Sequence, residues 1–289
     1  VFISGIGCSS RFPYYMDTFG FHTIHGRAPA IASGVKLANP DLSVWVVTGD
    51  GDGLSIGGNH TIHLLRRNLD INVMLFNNRI YGLTKGQYSP TSEVGKITKS
   101  TPMGSLDRPF NPLTLALGSG ATFVSRTIDK ETKHMQSMIM RSHGHKGTSF
   151  MEIYQNCNIF NDGAFSNQTD REQKADTVLI LENGEPMLFG SDKNKGIRLD
   201  GNTPKVVELG DKWGMDDVLV HDESDYVIAS LLSNMTYQPE FPDPIGVLYA
   251  VESDTYEDTM VAQLNQAVKK KSNGTVQDLL NTGDTWVVD

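Results

Sequence analysis

Gly49-Asp50-Gly51 and Asn78 have the types and spacing to do chemistry together. Glycines let the backbone approach a bulky anion closely. A helix that starts just after them can aim its N-terminal amides at that anion. Asp50 adds a hard oxygen ligand beside it, and Asn78 follows 28 residues later, at the end of the next apolar run. A carboxylate, an amide oxygen and a backbone carbonyl can hold Mg²⁺, with diphosphate oxygens and water completing the octahedron. A Gly-Asp-Gly by itself is an ordinary turn, and two sharper alternatives fail on spacing. An EF-hand starts well with Asp50 and Asp52, but Leu54 and Ile56 stand where ligands or Gly belong, and Thr61 stands where the closing Glu would be. A nicotinamide-binding turn needs G-x-G-x-x-G after the first strand and an acid about twenty residues on. Gly49-x-Gly51-x-Gly53 has the wrong spacing, and the next strand ends in Asn.

These residues need elements that deliver them. Residues 43–48 form an apolar run that predicts a buried strand, and 57–67 predict a helix with Ile62 and Leu65 facing inward. Residues 71–76 are a second apolar strand, which makes a βαβ unit with parallel strands buried on both faces. Residues 2–4 read as an earlier strand, and Pro29 suits the first turn of a helix. Further along, 110–117 predict a helix, 121–125 a strand, 128–141 a helix and 149–153 a strand. The expected fold is α/β, a doubly wound and mostly parallel sheet over residues 1–165, with a smaller C-terminal α/β extension over 166–289. In such sheets ligands bind beyond the carboxyl ends of the strands, so the loops 5–11, 49–53, 77–87 and 155–161 should converge. In the extension, Asn183-Gly184 predicts a hairpin turn between 178–181 and 186–189. Residues 218–229 and 256–268 hold further elements, while 191–201 read as a polar loop.

Composition narrows the function classes. A net charge of -9 argues against nucleic acid as a partner. No stretch approaches the ~18 apolar residues of a membrane-spanning helix. Two cysteines, Cys8 and Cys157, are too few and too far apart for a disulfide framework and read as reduced thiols of a cytoplasmic protein. The sequence opens on Val1-Phe2-Ile3, a strand-like start from which a missing N-terminal portion is expected. His22, His25, His60 and His63 invite a metal reading, but such histidines are more often packed or surface residues.

The pairing of Gly49-Asp50-Gly51 with Asn77-Asn78 resembles the thiamine-diphosphate/Mg²⁺ motif of thiamine enzymes. The likeness extends through Ile6-Gly7-Cys8-Ser9-Ser10, His25-Gly26-Arg27, the run from Asp50 to His60 and Arg66-Arg67-Asn68. It continues through the run from Asn77 to Thr91 and in Cys157 before Phe160-Asn161. Together these motifs resemble the β subunits of 2-oxoacid:ferredoxin oxidoreductases, over residues 3 to 165 at least. The C-terminal third resembles the family more weakly.

That resemblance implies definite roles. Asp50 and Asn78 would ligate Mg²⁺ by side chain and Ile80 by its carbonyl. Ile6, Gly7, Cys8, Ser9, His25, Gly26, Gly51, Gly82, Leu83 and Thr84 would line thiamine diphosphate. Cys8 and Cys157 would supply two of four thiolates to a [4Fe–4S] cluster, the other two coming in the family from an upstream Cys-Pro-Gly-Cys-like segment that this sequence lacks. Pyruvate-type members often read Thr-Gly-Gly-Gln where this sequence reads Thr84-Lys85-Gly86-Gln87. Lys85 would then pair with the second carboxylate of 2-oxoglutarate, and Arg11 with its C1 carboxylate. The implied reaction is coenzyme A-linked oxidative decarboxylation of 2-oxoglutarate to succinyl-CoA, or its reverse, with electrons passed to ferredoxin. A partner α subunit would supply the glutamate that activates the cofactor, so this chain alone would be inactive. The alternatives are a pyruvate or broad 2-oxoacid enzyme, a non-redox thiamine decarboxylase or synthase, and a non-catalytic α/β binding module.

Overall fold

The computed structural model describes residues 1–270 and 274–288. Its strands are β1 (Phe2–Ser4), β2 (Gly20–His22), β3 (Val44–Gly49), β4 (Ile71–Asn77), β5 (Phe123–Ile128) and β6 (Ser149–Tyr154). They continue as β7 (Val178–Ile180), β8 (Leu188–Phe189), β9 (Lys195–Asp200), β10 (Thr203–Glu208) and β11 (Asp243–Ala250). Eight of them make one sheet in the order β2-β1-β3-β4-β6-β5-β11-β7, and β10-β9-β8 form a small antiparallel sheet. Every pairing in the large sheet is parallel except β11 with β5. The sheet is therefore α/β and mostly parallel, as expected.

Apolar runs make these strands because both faces are covered. Along β4, Val73 and Leu75 enter one core and Met74 the other; in β6, Phe150 enters the first while Met151 and Ile153 enter the second. Register then sets where the loops leave. Ser4 lies opposite Val47, Gly49 opposite Phe76, and Asn77 opposite Tyr154. The carboxyl ends of β1, β3, β4 and β6 thus finish at nearly one level.

Several local expectations change. The helix after β3 spans Gly58–Arg67 and is preceded by a wide π-type turn over Asp52–Ile56. It buries Thr61, Leu64 and Leu65 rather than Ile62, because the wide turn shifts its inward face. The helices expected at 110–117 and 128–141 run over Pro112–Gly118 and Thr132–Gly144, and the strand expected at 121–125 is β5. No hairpin forms around Asn183-Gly184. Gly184 does take a positive φ of 80°, yet β7 leaves to pair in parallel with β11, while β8 joins β9. The segment 191–201, read as a loop, contains β9, whose register with β10 extends from Lys195–Glu208 to Asp200–Thr203. The element expected at 218–229 is the helix Tyr226–Met235. Through β7 and β11 the large sheet continues across residue 165 into the C-terminal region.

His221 fastens that region to the sheet. It is 1% exposed, and its Nε2 donates to the carbonyl of Val247 in β11 at 2.8 Å. Its Nδ1 is buried with no partner among the described residues. Burial holds its pKa below the ordinary value, opposed by the Val247 hydrogen bond and by Glu223. Since the unfolded chain takes up this proton first, His221 contributes full stability above about pH 6.5 and loses it as pH falls from there through its lower folded-state value. The melting midpoint of the wild type should therefore drop more steeply between about pH 7 and 5.5 than that of His221→Gln, which keeps a donor for Val247 but does not titrate.

Candidate functional site

The loops at the carboxyl ends do converge. They enclose a cavity of about 190 Å³ lined by residues 6–9, His25, Asp50, Gly51, Asn78, Ile80 and residues 82–84, together with Asp52 and Tyr81. Of the remaining expected residues, Gly26 stands behind the wall, packed so closely on Gly57 that a Cβ there would lie 2.4 Å from the Gly57 nitrogen. Arg11 and Lys85 do not line the cavity. Arg11 is exposed and near enough to act on the Cys8 thiol, with its guanidinium 5.8 Å from the Tyr15 ring. Lys85 is exposed at the tip of a turn closed by Tyr81 and Gln87, with a left-handed φ of 71°.

Asp50 is 2% exposed. Its Oδ2 accepts from Ser89 Oγ at 2.6 Å and Thr91 Oγ1 at 2.7 Å. Burial pushes its carboxyl above the ordinary value, while the two hydroxyls and the amides of Gly51 and Asn78 pull the other way. Among the described residues no lysine or arginine pairs with it. A buried carboxylate with only neutral donors is electrostatically short of a cation. Asn78 borders the same cavity beside it, its Oδ1 held by the amide of Ile80 at 3.2 Å.

Asp52 does a different job. Its Oδ1 accepts from the amides of Ile6 (3.1 Å) and Gly26 (2.7 Å), and its Oδ2 from Thr48 Oγ1 (2.7 Å). One side chain therefore ties the loops after β1 and β2 to the end of β3. Gly5 must be glycine for this, since a Cβ there would lie 1.8 Å from Asp52 Oδ2. Sequence reasoning met Asp52 as a failed EF-hand position and within the run that carried the resemblance, but gave it no role, because its two amide partners are 26 and 46 residues away.

The two cysteines meet at Gly82. A Cβ at Gly82 would lie 3.1 Å from Cys8 Sγ and 3.8 Å from Cys157 Sγ. Both sulfurs thus approach one point on the cavity wall. Partial burial, with Cys157 beside it, raises the Cys8 thiol above its ordinary pKa, and Arg11 opposes this. Among the described residues no group of three or more His, Cys, Asp or Glu side chains could hold a metal ion. The other histidines make no such site: His22 bonds Ser4 Oγ at 2.8 Å, and His60 contacts Arg27.

Beneath the site, Asn77 Nδ2 donates to Glu152 Oε1 and Arg126 Nε to Glu152 Oε2, both at 2.7 Å. Thr91 Oγ1 lies 2.9 Å from Asn77 Oδ1 as well as beside Asp50. Tyr81 packs its ring on Gly51 and donates its hydroxyl to the Gly51 carbonyl at 3.1 Å. None of these supporting roles was foreseen, although Tyr81, Ser89 and Thr91 lie in the run that carried the resemblance.

Residues 5–153 match the family described as thiamine pyrophosphate enzyme, C-terminal TPP binding domain. The whole chain is 51% identical to the 2-oxoglutarate oxidoreductase subunit KorB of Mycobacterium tuberculosis, covering 78% of that protein. The chain belongs to the β subunits of the 2-oxoacid:ferredoxin oxidoreductases. A β subunit of this family from Aeropyrum pernix is 48% identical over 56% of this chain and 51% of its own length, so this chain spans about half of that archaeal relative. The solved 2-oxoglutarate:ferredoxin oxidoreductase from Magnetococcus marinus, with 2-oxoglutarate, coenzyme A and succinyl-CoA bound, superposes with a TM-score of 0.76. It is 32% identical, over 98% of this chain and 82% of that one. Membership in this family makes thiamine diphosphate the group for the cavity and implies a partner α subunit.

Hydrogen bonds to a charged acceptor contribute about 1.5–3 kcal/mol each. Asp52→Ala, which frees both cavity loops, should therefore weaken thiamine diphosphate binding to the αβ complex by at least about tenfold in a calorimetric titration. Unchanged affinity would show that the loops hold themselves.

Proposed function

We propose that this chain is the cofactor-holding β subunit of an enzyme that converts 2-oxoglutarate and coenzyme A to succinyl-CoA and CO₂ while passing a pair of electrons to ferredoxin, or that runs the reverse carboxylation. The observation that carries this reading is the meeting, around one cavity, of the oxygen ligands at Asp50 and Asn78 with the two sulfurs at Gly82. A thiamine enzyme without redox chemistry has no use for the second pair. The mycobacterial and Magnetococcus relatives, both 2-oxoglutarate enzymes by name, favour that substrate over pyruvate.

Thiamine diphosphate when bound supplies a nucleophilic thiazolium carbon that decarboxylates 2-oxoacids, and an iron–sulfur cluster supplies acceptance of single electrons. In this reading Asp50, Asn78 and the Ile80 carbonyl hold Mg²⁺. Asp50 fits that task because it is buried, locked by Ser89 and Thr91, and lacks a cation partner. Residues 6–9 with His25 and Gly51 form one wall for the cofactor, and residues 82–84 form the other. Gly26 supports the first wall through Asp52. Cys8 and Cys157 furnish two cluster thiolates, and further ligands come from outside the described residues.

In this reading the exposed Lys85 would pair with the second carboxylate of 2-oxoglutarate and the exposed Arg11 with its C1 carboxylate. The α subunit covers the open side, on which Leu83 is 60% exposed, and residues 166–289 form the extension that packs on the first unit and on that partner. This reading puts the enzyme in the cytoplasm, with ferredoxin.

Anaerobic reduction of ferredoxin or viologen by the αβ complex with coenzyme A tests the reading, with 2-oxoglutarate and pyruvate compared. Reduction with 2-oxoglutarate is expected, and Asp50→Ala should abolish it. Lys85→Gly is informative because glycine accepts φ 71° without strain, so the turn survives while the cation is lost. Its KM for 2-oxoglutarate should rise about tenfold or more, as for removal of a charged hydrogen-bonding partner, with thiamine diphosphate affinity unchanged. Reduction with pyruvate alone would overturn the substrate assignment, and reduction with no 2-oxoacid would overturn the redox reading.

A further inference from the structure

Arg79 is the middle residue of the turn Asn78-Arg79-Ile80, and its φ is 55°. A non-glycine residue in the left-handed region is strained and persists where its surroundings over-determine it. Here they do. The Arg79 amide donates to Asn77 Oδ1 at 3.1 Å. Its carbonyl accepts from Ser92 Oγ at 2.6 Å and from Asn161 Nδ2 at 3.3 Å. Its guanidinium stands over three aromatic rings, 4.4 Å from Phe165, 5.1 Å from Tyr237 and 5.7 Å from Tyr154.

The cage is not explained by charge balance. Arg126 already answers the nearby carboxylates, 2.7 Å from Glu152 and 3.8 Å from Asp243. Arg79 Nη1 reaches only the Ala164 carbonyl, at 3.4 Å, and Nε is buried with no hydrogen-bond partner among the described residues. Half-burying a guanidinium in this way is costly, and the aromatic faces offset part of the cost. Tyr237 is itself left-handed, at φ 69°. Two strained residues from distant parts of the chain are held against each other. What the arrangement gains lies at the backbone, where the turn presents Asn78 and Ile80 to the cavity that Asp50 shares.

We propose that Arg79 is a positioning residue: caged by Tyr154, Phe165 and Tyr237, it holds the left-handed turn that presents Asn78 and Ile80 to the divalent cation of the diphosphate. The C-terminal region, which supplies Tyr237, thereby sets the metal affinity of the N-terminal site. The proposal rests on the magnesium reading above.

The test measures thiamine diphosphate binding to the metal-free αβ complex as Mg²⁺ is added, together with the melting midpoint of each metal-free variant. In Arg79→Gly the backbone accepts its conformation freely but the anchor is gone. Its Mg²⁺ midpoint should rise about tenfold, a change of about 1.4 kcal/mol, without a matching fall in melting midpoint. Arg79→Lys, which keeps the cation, should recover part of the loss. Tyr237→Ala should raise the midpoint several-fold with Arg79 intact, and Tyr237→Phe, which keeps the ring, should leave it unchanged. If Arg79→Gly does not assemble, the Tyr237 pair and Arg79→Lys carry the test. A wild-type Mg²⁺ midpoint in Arg79→Gly, or in Tyr237→Ala, would overturn the proposal. Wild-type binding that ignores Mg²⁺ would overturn the magnesium reading, and this proposal with it.

Discussion

Two carboxylates, Asp50 and Asp52, are buried two residues apart at the end of β3, and they are satisfied in opposite ways. Asp52 collects donors from three separate segments, the amides of Ile6 and Gly26 and the hydroxyl of Thr48. A buried carboxylate is tolerable only with such partners, so these segments are held where its oxygens are. Asp50 has hydroxyl and amide donors but no cation, and burial raises its hold on a proton. The first carboxylate closes the loops into a cavity, and the second stands inside it with no cation partner among the described residues, a demand that the proposed Mg²⁺ would answer. Glycine at 5, 26 and 57 follows from the close approach of those loops.

The sheet beneath extends this logic. Glu152 and Arg126 sit on the central strands β6 and β5, and both are fully buried. Such a pair is poor evidence for stability, since desolvation consumes much of its Coulombic gain. Here it orients Asn77, which in turn meets Thr91 and the amide of Arg79. Arg126 also reaches Thr236 and the carbonyl of Pro244 in β11. A continuous buried polar path thus runs from Asp50 through the sheet to the C-terminal region. The division of the sequence near residue 165 is crossed by the sheet, by this path and by the Arg79 cage.

Much of this was legible in the sequence, for reasons that differ by residue. β3 and β4 are near-continuous apolar runs, the mark of parallel strands buried on both faces, so the chemistry at their ends could be placed. Asp50 and Asn78, which both line the cavity, were singled out because few residue types could ligate a metal. Cys8 and Cys157 were paired only through resemblance, since nothing local shows that both sulfurs approach Gly82. β9 was missed because Lys195, Arg198 and Asp200 give it a polar texture, although its pairing with β10 is continuous. The hairpin at Asn183-Gly184 failed because a turn signal does not specify partners: Gly184 turns, but β7 completes the large sheet instead. Asp52, Ser89, Thr91 and Arg79 act through partners distant in sequence, which periodicity and spacing do not encode.

The central claim is that Asp50 and Asn78 hold Mg²⁺ in a cavity on whose wall, at Gly82, the Cys8 and Cys157 sulfurs meet to hold the cluster. Anomalous diffraction at the iron edge, from anaerobic crystals of the αβ complex with Mg²⁺ and thiamine diphosphate, tests this most directly. The account predicts iron bonded to both Cys8 and Cys157 sulfurs against Gly82, beside a cofactor whose Mg²⁺ touches Asp50 and Asn78. Iron bound elsewhere, with both sulfurs unligated, would contradict it.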